Sequence, residues 1–315
     1  MKIFVAGATG ALGKQLVPRL VAAGHRVVGM TRSADKAEAV HALGAKPAVA
    51  DALDPDAVAT AVAEAEPEVV AHQLTALSGP IDMRHIDRWF AQTNRLRTEG
   101  TDHLLAAGRT VGARRFLAQS YAGWPFARTG GPVKDEGDPL DRDPPERLRE
   151  TLDAIRYLED AVTEIDWGVG IVLRYGAFYG PGTSTSADPE AEMTKPILRR
   201  QFPVIGDGGG VWSFTHIADA AEATVAAVER GQAGIYNIVD DEPARVGDWL
   251  PGLAEALDAK PPRRLPRWLG RLVVGDAATV MMTEVRGASN AKAKRELAWK
   301  PHYPNWHVGF AQGLR

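Results

Sequence analysis

Gly7-Ala8-Thr9-Gly10-Ala11-Leu12-Gly13 follows the apolar run Ile3-Phe4-Val5-Ala6 and opens a stretch with helical spacing. A glycine turn placed between a buried strand and a helix is the arrangement that receives a dinucleotide pyrophosphate. The first glycine allows the tight turn, the second lets backbone amides approach the phosphates, and the third lets the helix pack on the strand. The amides at the start of the helix, with its dipole, supply the positive end. Gly7, Thr9, Gly10, Ala11, Leu12 and Gly13 are therefore candidate cofactor-binding residues.

Working outward, short apolar runs alternate with helical patterns. Strands are expected at Lys2–Ala6, Arg26–Met30, Ala48–Ala50, Glu68–Ala71, Arg115–Gln119 and Gly168–Leu173. Helices are expected at Leu12–Ala23, Ala34–Leu43, Pro55–Ala65, Gln92–Ala107 and about Glu146–Glu164, with Asp54 as an N-cap and Gly24 closing the first. This alternation gives an α/β fold, a Rossmann doubly wound parallel sheet covered on both faces. A smaller C-terminal substrate-binding lobe is expected because the pattern changes after Gly180. Residues 1–179 plus 211–239 form the expected core, and 180–210 plus 240–315 the lobe.

The end of the second strand bears on the choice of nucleotide. A site for the unphosphorylated cofactor wants a carboxylate there, about 20 residues after the turn, to accept from the ribose 2′-hydroxyl. The chain instead reads Thr31-Arg32-Ser33, with no acid before Asp35. The planar fork of Arg32 suits a 2′-phosphate, with Thr31, Ser33 and Lys36 able to assist, so NADP(H) is favoured over NAD(H).

Composition narrows the remaining classes. The 315 residues are 45% hydrophobic and 24% charged, with a net charge of −3, which gives no basic field for nucleic acid or an anionic membrane. Cysteine is absent, which removes disulfides and thiolate chemistry. No apolar stretch approaches the ~20 residues of a membrane span and no signal-peptide pattern is present, so a cytoplasmic location is expected. The histidines lack metal-like spacing, so no metal is expected.

The chain resembles the extended short-chain dehydrogenase/reductases of the NAD-dependent epimerase/dehydratase type. The resemblance rests on the glycine turn, Asp51-Ala-Leu-Asp54, Val69-Val-Ala-His-Gln-Leu-Thr-Ala76, Leu173-Arg-Tyr-Gly-Ala-Phe-Tyr-Gly-Pro-Gly182 and Phe214-Thr-His-Ile-Ala-Asp219. It implies that Asp51, Ala52 and Leu53 hold the adenine and that Gln73, Leu74 and Thr75 line the nucleotide groove. It also implies that Tyr175, Gly176 and Ala177 pass the nicotinamide, and that helices near 92–107 and 146–164 form a homodimer contact.

One family element is missing. Its Tyr-x-x-x-Lys pair, in which the phenol is the general acid/base and the lysine lowers its pKa, would fall on Thr151 and Ile155. Tyr157 is the only tyrosine on that helix, Ala161 follows it four residues later, and no lysine lies between Lys134 and Lys195. Ser120 stands at the family's substrate-binding hydroxyl, and Tyr121 is the first candidate for a replacement proton donor, with Tyr175 and Tyr179 behind it. The family's phosphate-clamping arginine is replaced by Trp212, and a substrate-facing asparagine by Ala177. With Trp124, Phe126, Phe178, Tyr179 and Trp212 as candidate walls, the expected substrate is a small apolar carbonyl or enone-like compound. The expected function is thus an NADP(H)-dependent oxidoreductase with an atypical site. The missing pair keeps open an NADP-binding isomerase or cyclase, or a redox-sensing regulator, and behind them a sugar-nucleotide epimerase/dehydratase.

Overall fold

The computed structural model describes residues 1–77, 79 and 85–315. Seven parallel strands form the central sheet: β1 (Lys2–Ala6), β2 (Arg26–Thr31), β3 (Lys46–Val49), β4 (Val69–His72), β5 (Arg115–Tyr121), β6 (Val169–Tyr175) and β7 (Gly234–Ile238). Their order is β7-β6-β5-β4-β1-β2-β3. The chain therefore reverses its direction of winding between β1 and β4, which opens a crevice beyond their carboxyl ends.

Side-chain alternation along each strand assigns the two faces. Ile3 and Val5 of β1 join Leu117 and Leu173 under helices α1 (Ala11–Ala22) and α7 (Ile217–Arg230). Phe4 and Ala6 face the other way with Val70, Phe116 and Val172, under α3 (Pro55–Ala65), α5 (Glu99–Thr110) and α6 (Arg149–Thr163). Burial on both faces explains why these strands read as continuous apolar runs. A third core, around Trp249, Leu250, Ile205, Phe310 and Trp306, draws chiefly on residues beyond Gly180 and also takes in Tyr179 and Phe214, which the expected division gave to the sheet domain. Among the described residues no helix is long and apolar enough to cross a membrane.

Most predicted elements lie where expected, and the departures have local causes. The expected helix 92–107 is two: α4 begins earlier and runs Ile86–Arg97, and α5 starts at Glu99. The break is at Thr98, whose backbone (φ −98°, ψ −83°) leaves the helical range. The expected helix 34–43 splits into a 3-10 turn, Ala34–Lys36, and a short helix α2, Ala37–Ala42. Strands β5 and β6 each run two residues further than expected, because their ladder continues through Ser120↔Arg174 and Tyr121↔Tyr175. Those residues therefore stand on strand ends at the crevice instead of in loops.

Candidate functional site

The glycine turn closes against the end of β4. Gly7 has φ 100°, and a Cβ there would meet the Gln73 carbonyl oxygen at 2.5 Å, while the Gln73 amide donates to Ala6 at 2.8 Å. Gly13 is equally constrained, since a Cβ would drive into the backbone of Gly7 and Ala8. Gly10 differs. Its Cβ direction meets only the Gly7 carbonyl, at 3.4 Å, and otherwise faces open space. No side chain caps the helix that starts there and no acid occupies its first turn. The turn thus combines two glycines fixed by packing with one exposed glycine beside open amides, the cradle that a pyrophosphate requires.

At the end of β2, Thr31 is buried, Ser33 half-buried, and Arg32 and Lys36 exposed. Neither cation has a carboxylate within ion-pair distance among the described residues. Asp51 turns the chain by accepting from the Leu53 amide at 3.0 Å, and the buried Ala52 pairs its carbonyl with His103 Nδ1 at 2.9 Å. Leu53 stays half-buried.

Beyond β4, the Gln73 side chain is buried, with the Tyr175 hydroxyl near its carboxamide. Leu74 is half-buried and Thr75 exposed. The Leu74 amide donates to His72 Nδ1 at 3.2 Å, so the proton rests on Nε2 and is donated to the Leu96 carbonyl at 3.2 Å. Burial lowers the His72 pKa to about 4, so the ring is neutral and structural.

At the ends of β5 and β6 the site departs from a simple groove. Ser120 is buried and its hydroxyl donates to Glu159 at 2.6 Å. Arg174 grips the same carboxylate through Nε at 2.8 Å and Nη2 at 2.5 Å, and its guanidinium lies 5.3 Å from the Phe126 ring centre. Arg97, also buried, lies 5.9 Å over Phe90, and burial lowers its pKa to about 10 against the opposing pull of Glu159. One terminal nitrogen of each arginine is buried without a partner. Neither Glu159 nor Arg174 was among the expected site residues. An arginine inside the apolar run Ile171-Val-Leu-Arg-Tyr was the available signal, since a charge there needs a buried partner.

Thr151 and Ile155 are both buried on α6, and Thr151 Oγ1 accepts from Asn94 at 3.2 Å. Tyr157 faces away, 43% exposed, and donates to Asp102 on α5. Tyr121 is held at the end of β5, its hydroxyl without a partner among the described residues, and burial raises its pKa to about 12. The other tyrosine candidates require correction. Tyr175 sits in the sheet core with its hydroxyl 2.7 Å from Thr224, so only its backbone can border a nucleotide. The amides of Gly176 and Ala177 are also engaged, with Ile238 and Ser213. Tyr179 lies in the lobe core against Phe214 and Phe310.

The expected aromatic wall divides in the same way. Phe126 is fully buried beneath Arg174 with Ala122 and Val239, and with Tyr179 it is a core residue, not a pocket wall. Trp212 gives its N–H to the Met281 carbonyl at 2.8 Å and packs 5.0 Å from Trp249, so it stiffens the lobe. Trp124 and Phe178 remain half-buried, one against Ile86 and Phe90, the other against Tyr175. These two are the wall candidates whose surfaces remain partly free.

Residues 3–239 match the model of the NAD dependent epimerase/dehydratase family. A Streptomyces protein, 3-diazoavenalumate denitrifying reductase, is 45% identical over 99% of this chain and 100% of its own length. A Stigmatella aurantiaca ketoreductase of 4-hydroxy-2-methyl-3-oxo-4-farnesyl-3,4-dihydroquinoline-1-oxide is 28% identical, over 82% of this chain and 74% of that one. Among solved structures, the Thermotoga maritima UDP-glucose 4-epimerase with UDP-glucose shares the fold at a TM-score of 0.76 and 21% identity, covering 100% of this chain and 97% of that one.

Proposed function

The chain belongs to the NAD-dependent epimerase/dehydratase family, and from that membership we propose that it is an NADP(H)-dependent reductase of a small aromatic compound, with an aryl diazo group as the first substrate class to test. The observation that carries the reading is the open cradle at Gly10 with the unpaired Arg32 one residue beyond β2. Amides at the start of α1 would hold the pyrophosphate, Arg32 the 2′-phosphate, Asp51-Ala52-Leu53 the adenine, and Gln73 with Tyr175-Gly176-Ala177 the nicotinamide side. When bound, that cofactor supplies hydride chemistry, and the protein's part is to position and exclude water.

Two observations support the substrate class. The relative at 45% identity is named as a denitrifying reductase of a diazo compound. The replacement of a phosphate-clamping arginine by Trp212, bonded to Met281, removes the charge that a sugar nucleotide needs. The earlier expectation of a carbonyl or enone becomes the second class, which the 28% identical ketoreductase supports. Purified protein with NADPH, offered a hydroxybenzenediazonium salt, ketones, enals and imines, tests the reading. Consumption of NADPH above the protein-free rate with at least one acceptor is the expected result. Tight NADPH binding without consumption across the panel would favour the regulator instead.

A further inference from the structure

Two buried arginines stand beside one carboxylate behind the ends of β4 and β5. Glu159 accepts from Nε and Nη2 of Arg174 and from the Ser120 hydroxyl. Arg97 gets no contact with that carboxylate. Its guanidinium donates no hydrogen bond and makes no ion pair among the described residues. Yet Arg97 is only 7% exposed, with Nη1 sealed from solvent and its guanidinium 5.9 Å from the centre of the Phe90 ring. A buried cation without a bonded anion is costly, and an anionic group brought against it removes that cost.

The helices fix where this charge stands. α4 and α6 each lead away from the carboxyl end of a parallel strand, so they run in the same direction. Asn94 on α4 meets Thr151 on α6 at 3.2 Å. One turn further along each helix are Arg97 and Ile155, and Glu159 follows one turn later. Arg97 therefore stands beside Ile155, which occupies the place of the family's lysine. Its charge acts on His72 at the end of β4 and on Glu159 against Ser120, so it lies at the carboxyl ends of β4 and β5. Both acceptor classes proposed above leave a negative oxygen there. Hydride added to a carbonyl gives an alkoxide. A hydroxybenzenediazonium has already lost its acidic phenol proton to water. The hydride's electron pair then forms the carbon–hydrogen bond, the carbon–nitrogen pair departs on dinitrogen, and a phenolate remains. A fixed cation in a buried site stabilises such an oxygen without having to reorganise.

We propose that Arg97 supplies from α4 the cation that α6 lacks, and that it holds the oxyanion of an aromatic acceptor, a phenolate above all. The inference rests on the reductase reading above. Its test needs no turnover: the full chain with saturating NADP+ is titrated with 4-nitrophenol, whose phenolate is read by its visible absorption. Saturable binding at one site is expected, with the pKa of the bound phenol about 1–3 units below its value in water. The lowering should persist with NADPH, whose nicotinamide ring carries no charge. Arg97→Gln should abolish it and weaken the phenolate about 10- to 100-fold, the scale of a lost charge-assisted bond, while 4-nitroanisole and NADPH stay within about threefold. Arg97→Lys, which keeps the charge, should retain part of the lowering, and it decides the matter should the glutamine variant fail to fold. No saturable binding, a bound pKa at or above that in water with NADPH, or an equal lowering in Arg97→Gln would each overturn the proposal and leave the reductase reading standing. A lowered pKa in a protein that consumes NADPH with no acceptor would remove the reductase reading and leave the oxyanion site.

Discussion

Arg32 stands exposed just past β2, with no acid to answer it. A guanidinium free of ion pairs at that place is set to donate two parallel bonds to a phosphate. Arg32→Ala should weaken NADPH about 10- to 100-fold, the loss of charge-assisted bonds, and leave NADH within about threefold. Fluorescence titration of both cofactors reads this, and equal losses would remove the 2′-phosphate assignment. His72 gives a second expectation. Its pKa falls from 6.5 to about 4 on folding because burial disfavours the cation. The unfolded chain therefore binds the extra proton between those values, and stability falls as pH drops through that window, by about 3 kcal/mol in total. Urea unfolding at pH near 7 and near 4.5 should show this loss, and His72→Gln should show a shallower slope. Arg32 was legible because its position in the strand pattern gave its environment. The partnership of Ser120, Glu159 and Arg174 was not, because it joins residues far apart in sequence.

Elements defined by local chemistry were read most accurately. Pro55–Ala65 is as expected, with Asp54 accepting from the amides of Asp56 and Ala57. Asp54→Ala should cost about 1 kcal/mol, visible as a lowered denaturation midpoint with an unchanged slope. A change below about 0.2 kcal/mol would show the cap to be replaced by solvent. Helix α4 was read six residues late, although Ile86 and Phe90, four apart, carry its buried face. The break at Thr98 escaped because it is a change in one residue's backbone angles with no proline to mark it. The aromatic positions failed for a related reason. A phenyl or indole next to a groove motif has the same sequence signature whether it lines the groove or, like Phe126 and Tyr179, fills the core behind it.

At the scale of the whole molecule, the parallel sheet followed from alternation alone, while the lobe's shape did not. Its core assembles Ile205, Phe214, Trp249 and Phe310 from four separated segments, none with a strong period. What the sheet fixes is the reversal between β1 and β4, and with it the place of a dinucleotide. Hydrogen exchange of the full chain, with and without saturating NADPH, tests that placement most directly. Protection should concentrate at the glycine turn and first turn of α1, at residues 31–36, and at residues 73–75. Unchanged exchange in all three segments, with protection elsewhere, would contradict it.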